Sequence, residues 1–515
     1  MIHLIPFLII NFKLITFFTI IFTVLLWNFK RRHLYYASWQ LDGPLALPLI
    51  GNLLLFRSGR KRVFETTKQV LETYKAPQRF WVGPFLIVYL TEPDDLQIVL
   101  NHPNALPKPF IYSIAKEWLG EGLLTAPVPK WKVHRNFLQP TFNVKTLDSY
   151  LNVYNKCANY LVKNLEQKAG HESFDIFNDV YMCALDIICG TTLATETSCL
   201  NGDPYGPAYL KASNSMFNIF QYRDVRPWLY PDFMFKFCKY YDEFMDNVKV
   251  FHAFSSKVLH ERRNHIKNMI KNNPKYKPEN LTPVDAMIFA SLTHIDGLYK
   301  FSDKEIQDEI EIIIGGGADS SGHTICFILL LLAMYPDIQQ RVYEEILLIS
   351  CDTLTKSDLN SLSYMEQVIN ETMRILPAVP MIARELNGPV QLNNGVILPT
   401  GTTIGVGIRD THRNRKVWGE DADQFNPDRF SPENVKNRHP YSFIPFSGGP
   451  RNCIGLKLAK NSIKVVLYKI LLNFSVMTDR KLENLRCSMH PLAKLEGGWH
   501  VILTKRDSPV KISKD

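Results

Sequence analysis

The sequence predicts a mainly α-helical body with a small β part, carried behind an apolar N-terminal helix. Three observations predict it. Apolar residues recur at helical spacing in most segments that show any period. Only short stretches read as strands. Residues 5–27 are almost wholly apolar.

The first element, IPFLIINFKLITFFTIIFTVLLW, is long enough to cross a bilayer as a helix, and a lysine such as Lys13 can snorkel toward an interface. The basic run KRRH, residues 30–33, follows at once, which predicts that the rest of the chain stays on the cytoplasmic side. A cleaved signal peptide would carry its charge before the apolar run and small residues after it, and neither pattern is clear. DGPLALPLIGN, residues 42–52, has two prolines and two glycines and reads as a stiff, non-helical connector. Beyond it there is no Ser/Gly linker, repeat or low-complexity stretch. The predicted organisation is therefore a membrane anchor (1–29), a basic and proline-rich connector (30–52) and a single domain (53–515).

Within that domain helices are predicted over residues 61–75, 130–137, 146–168, 174–193, 240–271, 303–335, 338–349, 364–375 and 456–472. Strands are predicted over 80–90, 390–392, 402–406 and around 499–504. The helix 303–335 has a capping box in Ser302 and Glu305 and a stop at Pro336, and would be about 50 Å long. Its interior holds Gly315, Gly316 and Gly317, which together cost about 3 kcal/mol relative to alanine. Such a penalty points to a place where another group must approach the backbone closely.

The net charge of +9 over 515 residues is modest, and no long Lys/Arg block is interleaved with aromatics, so nucleic acid is not a predicted partner. The nine cysteines are scattered singly with no CxxC spacing, as expected of reduced thiols in the cytosol. One stands apart. In FIPFSGGPRNCIGLKLA, residues 443–459, Cys453 follows a Gly/Pro-rich loop and precedes an amphipathic helix. The helix N-terminus and neighbouring Arg451 both favour a thiolate suited to holding a metal. Gly448, Gly449 and Gly455 would let the backbone approach something bulky. A lone cysteine in this setting is more often a buried turn residue; the spacing F-x-x-G-x-R-x-C-x-G changes that reading. Phe446, Gly449, Arg451, Cys453 and Gly455 resemble the haem-binding loop of the cytochrome P450 family.

The resemblance extends along the chain in order, although Asp42 stands where the connector usually has its first proline. WKVHR resembles WxxxR, ETMR resembles ExxR and FNPDRF resembles the PERF segment. WLGEGLLTAPVPKW, RPWLYPDFMF and RHPYSFIPFSGGPRNCIG look like the family 4 group, which hydroxylates fatty acids and other long apolar molecules.

The resemblance implies a cytochrome P450 fold with the long helix over a haem b, Cys453 as the iron ligand, and Trp131 and Arg135 on the propionates. It implies a structural triad of Glu371, Arg374 and Arg429. Gly316 and Gly317 would admit the haem. Asp319 and Ser320 would form the acid–alcohol pair that delivers protons. Ser320 stands where threonine is usual, which removes a methyl that restrains the rotamer. Gly316 stands where many family 4 members carry a glutamate bonded to the haem, so the haem is expected to be held non-covalently, and chain-end hydroxylation is put in question.

The implied activity is monooxygenation of a lipophilic substrate with O2 and NADPH-derived electrons, on the endoplasmic reticulum membrane. The implied partners are NADPH–cytochrome P450 reductase and, secondarily, cytochrome b5. Lys457, Lys460 and Lys464 on one helix face, with Lys130 and Lys132, form a candidate docking patch, or simply a solvated face. Residues 110–124, 217–235, 378–382 and 497–501 are the candidate pocket stretches. A haem-thiolate isomerase or dehydratase of lipid hydroperoxides, and a haem-binding carrier or sensor without turnover, are the rival readings.

Overall fold

The computed structural model describes residues 4–47, 50–56, 63–224, 226–273, 280–293, 299–349, 351–489 and 491–507. Residues 1–3 of the expected anchor, 48–49 of the connector and 61–62 of the next expected helix lie outside these. The side chains of residues 4–13, Lys13 among them, also lie outside the description.

The molecule is mostly helical, and its largest hydrophobic core surrounds the central helix, Asp303–Met334. That helix begins with the expected capping box: the Ser302 hydroxyl accepts from Glu305 N–H and the Glu305 carboxylate accepts from Ser302 N–H. It runs as α-helix over Asp303–Ile314, as a π turn over Gly315–Asp319, and as α-helix again over Ser320–Met334. Ile325 to Leu332 are at most 1 % exposed. The helix is apolar and long enough to cross a bilayer, but most of it is buried inside the protein, as a core helix must be. Met334 ends it, and Pro336 opens the next helix, Pro336–Ile349, where its missing N–H costs nothing.

Several expected helices form with small changes of boundary: Val63–Thr73, Val128–Leu138, Tyr241–Asn272, Ser363–Ile375 and Leu456–Asn473. Two expectations need correction. The helix expected over 146–168 is divided at Tyr150 into Val144–Ser149 and Leu151–Glu166. The helix expected from residue 174 starts at Phe177, because Phe174–Asp175 pairs as a short strand with His500 and Val501. Among the helices not foreseen are Arg32–Trp39, Pro93–Asn101, Tyr205–Asp224 and Pro283–Leu292.

The main sheet has the spatial order Gln78–Val82, Phe85–Leu90, Thr403–Val406, Ile382–Glu385. The expected strand 80–90 is thus a hairpin, and its second arm runs parallel to Thr403–Val406. Leu86, Val88 and Leu90 alternate into a second, smaller core. Asp42 ties the connector to this sheet: its carboxylate accepts from Lys75 N–H at 3.0 Å and its carbonyl from Arg79 N–H at 2.8 Å.

At the N-terminus, Leu4–Lys30 is helical, and it bends by 54° into Arg32–Trp39. Ile15, Phe17, Phe18, Phe22, Leu25 and Phe29 on the first helix are all exposed. The second helix packs on the sheet through Tyr35, stacked 5.0 Å from Trp81.

Candidate active site at the Cys453 loop

The loop before Leu456–Asn473 is closed by a hydrogen bond from Cys453 N–H to the Phe446 carbonyl at 3.0 Å. Gly449 has φ +70°, and a Cβ there would come 1.9 Å from the Leu100 carbonyl oxygen. A Cβ on Gly448 would meet the Tyr441 ring at 2.6 Å. These two glycines seat the loop on its own chain, which corrects the expectation that they admit a bulky ligand. Gly455 differs, since a Cβ there would have only Cys453 Sγ nearby, at 3.9 Å, and its N–H is bonded to that sulfur.

Cys453 keeps accessible surface although protein atoms crowd around its sulfur. Burial pushes its thiol up from the ordinary value, with Gly455 N–H and Arg135 pulling the other way. The sequence led to the opposite expectation, with Arg451 lowering the thiol. Arg451 is instead turned away: its Nη2 donates to the Ala126 carbonyl at 2.7 Å, and its guanidinium lies 4.6 Å from the Trp131 ring centre. The protein alone therefore favours a thiol, and a bound metal has to displace the proton.

Arg135 is also placed differently from expectation. Its Nη1 and Nη2 donate to the carbonyl and side-chain oxygens of Asn452 at 2.8 and 2.7 Å, and its Nε donates to Gln139 at 3.3 Å. It grips the cysteine loop, and its donors are engaged within the protein.

What takes the expected place of Arg135 is a cluster of three cations. Arg451 is 9 % exposed, and its Nε and Nη1 have no partner. Arg384, on Ile382–Glu385, is 2 % exposed and donates to its neighbour's carbonyl, Ala383, at 3.0 Å. Lys108 lies 4.5 Å from the Tyr112 ring centre. Burial, Arg384 and Arg451 together push the Lys108 ammonium well down, and burial and Arg384 push Arg451 down to about 10. Among the described residues none of the three forms an ion pair. Buried like charges without a counterion are costly, and unpartnered buried donors call for an acceptor. A planar dianion such as haem, with two propionates, fits this donor set. Trp131, 5 % exposed, borders the cluster through its contact with Arg451.

On the central helix, Ser320 Oγ donates back to the Gly316 carbonyl at 2.7 Å inside the π turn. A Cβ on Gly316 would meet nothing within 4 Å, so Gly316 faces open space in an otherwise buried helix. Gly317 does not share that face: its Cβ would come 2.5 Å from Ile188 Cδ1 of the helix Phe177–Thr192. Gly317 is therefore a helix-packing glycine, contrary to its expected place at the cofactor. Asp319 is 3 % exposed and accepts from Ser213 Oγ at 3.0 Å, with the Tyr181 hydroxyl beside it. Burial raises its pKa to about 7, and the two hydroxyls only partly offset this. Asp319 and Ser320 are neighbours that point to different partners.

The triad forms. Arg374 donates to Glu371 through Nε and Nη2 at 2.6 and 2.8 Å, with both residues fully buried. Arg429 Nε stands 3.7 Å from Glu371 and Nη2 pairs with Asp421 at 2.5 Å. His412, unremarked in the sequence, joins this region to the cysteine loop by bonding the Met373 carbonyl and Ile444 N–H.

The docking patch needs revision. Lys460 and Lys464 both pair with Glu366, at 2.5 and 2.9 Å, and so bind two helices together. Lys130 pairs with Glu121 and Glu305. Lys132 and Lys457 remain exposed. Among the candidate pocket stretches, Trp118 stacks on Phe220 and Phe251, and Trp499 stacks 4.6 Å from Phe177, so both are core residues.

An accessible cysteine sulfur in a closed loop, a cation cluster without a carboxylate partner among the described residues and a central helix with an open glycine make a site of the kind that a haem-thiolate protein needs. The family profile described as Cytochrome P450 matches residues 41–496. The chain is 33 % identical to cytochrome P450 4c21 of Blattella germanica over 86 % of its own length and 89 % of the relative's. It is 31 % identical to cytochrome P450 4c3 of Drosophila melanogaster (95 % and 94 %) and 30 % identical to cytochrome P450 4V2 of Homo sapiens (92 % and 92 %). The chain belongs to the cytochrome P450 family, is a monooxygenase, and has relatives in the family 4 group.

Proposed function

We propose that the protein is a membrane-anchored monooxygenase that inserts one oxygen atom from O2 into a lipophilic, fatty-acid-like or foreign molecule, using electrons that NADPH supplies through a reductase. The observation that carries the reading is the accessible Cys453 sulfur together with two buried arginines, Arg384 and Arg451, and the partly buried Lys108, none of which pairs with a carboxylate among the described residues. Haem b, held non-covalently, would supply oxygen activation, which a thiolate ligand favours. In this reading Cys453 is the iron ligand, with Gly455 N–H and Arg135 steadying its charge. Phe446 and Gly449 shape the loop. Arg451, Arg384, Lys108 and Trp131 hold the propionates. Gly316 leaves room at the haem face. Ser320 and Asp319 manage the proton: the Ser320 hydroxyl can turn from the Gly316 carbonyl to donate, and Asp319, with a pKa of about 7, can both give and accept at neutral pH. Glu371, Arg374 and Arg429 lock the scaffold.

Exposed apolar side chains such as Leu14, Phe18, Phe22, Leu25 and Phe29, and the basic run that follows, support an anchor with the domain 53–515 facing the cytoplasm. Endoplasmic reticulum membrane is the proposed location. Lys132 and Lys457 are the proposed contacts for the reductase, with cytochrome b5 a second partner.

Purified protein, reductase and NADPH incubated with a lipid panel under isotopically labelled O2 test the reading by mass spectrometry. Label in a hydroxylated product is expected. NADPH-independent conversion of a lipid hydroperoxide without label would replace it with the isomerase reading. Ser320→Ala is expected to raise peroxide release relative to product, and an unchanged ratio of product to NADPH consumed would remove Ser320 from the proton path.

A further inference from the structure

Glu311 lies on the central helix about two turns before Asp319. It is 1 % exposed, and its carboxylate oxygens make no well-formed hydrogen bond, although the Ser255 hydroxyl lies close by. An ionised carboxylate in that position would be costly. Burial pushes its pKa up to about 8, against the pull of Ser255 and Lys304, with Asp308 adding to the rise. Glu311 therefore holds a proton at neutral pH.

The groups around Glu311 and Asp319 come from three packed helices. From Tyr205–Asp224 comes Tyr209, 2 % exposed, whose hydroxyl has no partner and feels the charges of both Glu311 and Asp319. Ser213 is four residues further on and thus on the same helix face; it is the residue that donates to Asp319 at 3.0 Å. From Phe177–Thr192 comes Tyr181, fully buried, its hydroxyl beside both Asp319 and Ser213. From Tyr241–Asn272 comes Ser255, whose hydroxyl accepts from Gln307 Nε2 at 3.1 Å; Gln307 also donates to Ser256 at 3.0 Å, where the structure is exposed. His252 of the same helix is held on the Trp118 carbonyl at 3.1 Å. Lys304, 61 % exposed, pairs with Asp308 at 2.8 Å beside this edge.

We infer that Glu311, Tyr209, Tyr181 and Ser213 form a buried seam that carries protons from the Gln307–Ser256 surface to Asp319. The inference rests on the monooxygenase reading, because each turnover that consumes a proton from Asp319 requires another. Glu311 gives its carboxyl proton to the Tyr209 hydroxyl oxygen as that hydroxyl passes its own proton on, through Tyr181 or Ser213, to the Asp319 carboxylate. Glu311 is left as a carboxylate and takes a proton from water at the exposed edge. Only O–H bonds change, and no electron moves. The seam uses side chains from three helices, and the Tyr209 hydroxyl in its middle has no hydrogen-bond partner among the described residues.

The test uses the haem-loaded full chain as wild type, Glu311→Gln, Glu311→Leu and Tyr209→Phe. Infrared difference spectra between wild type and Glu311→Gln need no turnover. A carboxylic-acid carbonyl band that shifts in D2O and fades as pH rises past about 8 is expected; its absence at neutral pH overturns the inference. In turnover, Glu311→Leu and Tyr209→Phe are each expected to raise peroxide released per NADPH several-fold and to enlarge the solvent deuterium effect on product formation. Unchanged coupling in both, with wild-type haem content and melting temperature, overturns it. Failure of the underlying reading is distinguishable: the wild type itself would then lack the absorption signature of a thiolate-bound haem, and both conclusions would fall.

Discussion

Gly316 and Gly317 are adjacent in one helical turn, yet the structure predicts opposite consequences for the same substitution. Alanine at either position gains the same helix propensity, about 1 kcal/mol. At 316 the new methyl meets nothing within 4 Å. At 317 it would lie 2.5 Å from Ile188 Cδ1 and 2.8 Å from Cγ1, and Ile188 is 3 % exposed with little room to retreat. Overpacking of this kind costs about 1–3 kcal/mol. Because the propensity gain cancels between the two variants, Gly316→Ala should exceed Gly317→Ala in stability by about 1–3 kcal/mol. The nearest clashing atom is Cδ1, so Ile188→Val should partly rescue Gly317→Ala while costing about 0.5–1.5 kcal/mol in the wild type. Thermal unfolding of wild type, Gly316→Ala, Gly317→Ala, Ile188→Val and the Gly317→Ala/Ile188→Val double variant, the last three with wild type read as a double-mutant cycle, checks this. Equal stability of the two alanine variants, or additivity of Gly317→Ala with Ile188→Val, would refute the assignment of Gly317 to helix packing.

Arg451→Met should speed haem transfer to apomyoglobin by about 10–100-fold, the worth of a charged hydrogen bond of about 1.5–3 kcal/mol, without lowering the melting temperature of the haem-free chain; a less stable apoprotein with unchanged haem retention would contradict it. Asp319 keeps its proton to about pH 7 when folded and loses it near 3.8 when unfolded. Stability from this group therefore falls as pH rises between those values, by up to about 1.4 kcal/mol per pH unit, and levels off above. The stability advantage of Asp319→Asn over wild type should accordingly grow from about pH 5 to pH 7, as thermal unfolding would show; a constant difference counts against the buried acid. Charge reversal at Lys132 and Lys457 should raise the KM for the reductase with melting unchanged, whereas Lys460→Glu with Lys464→Glu should lower the melting temperature. Loss of reductase affinity confined to the second pair would reverse the revised patch.

The parts legible in the sequence were those written in contiguous residues. The Cys453 loop, the capping box at Ser302 and the Glu371–Arg374 pair each lie within one short segment, so spacing alone conveys their geometry. The cation cluster was not legible, because Lys108, Arg384 and Arg451 come from a loop, a sheet strand and the cysteine loop, and meet only after the sheet has formed. Arg384 within MIARE looks like ordinary strand alternation. Lys460 and Lys464 were misjudged for the same reason: a helix face reads as solvated until its neighbour carries Glu366. The glycine run signalled close approach, but not that Gly317 meets Ile188 while Gly316 meets open space. The short strand Phe174–Asp175 was hidden in a helical period and exists only through pairing with His500–Lys505.

The three cations also bear on how much of this protein a cell keeps. Without a dianion between them, the folded chain confines repelling charges that the unfolded chain leaves hydrated. A ligand that binds only the folded form adds about 2.7 kcal/mol at a hundredfold excess over its Kd, and differences of 1–2 kcal/mol change steady-state abundance several-fold through proteolysis. The prosthetic group thereby acts as the final folding partner of the chain. If the cluster holds haem in this way, haem shortage is expected to thin the population of molecules by degradation, so that total protein falls along with the loaded fraction.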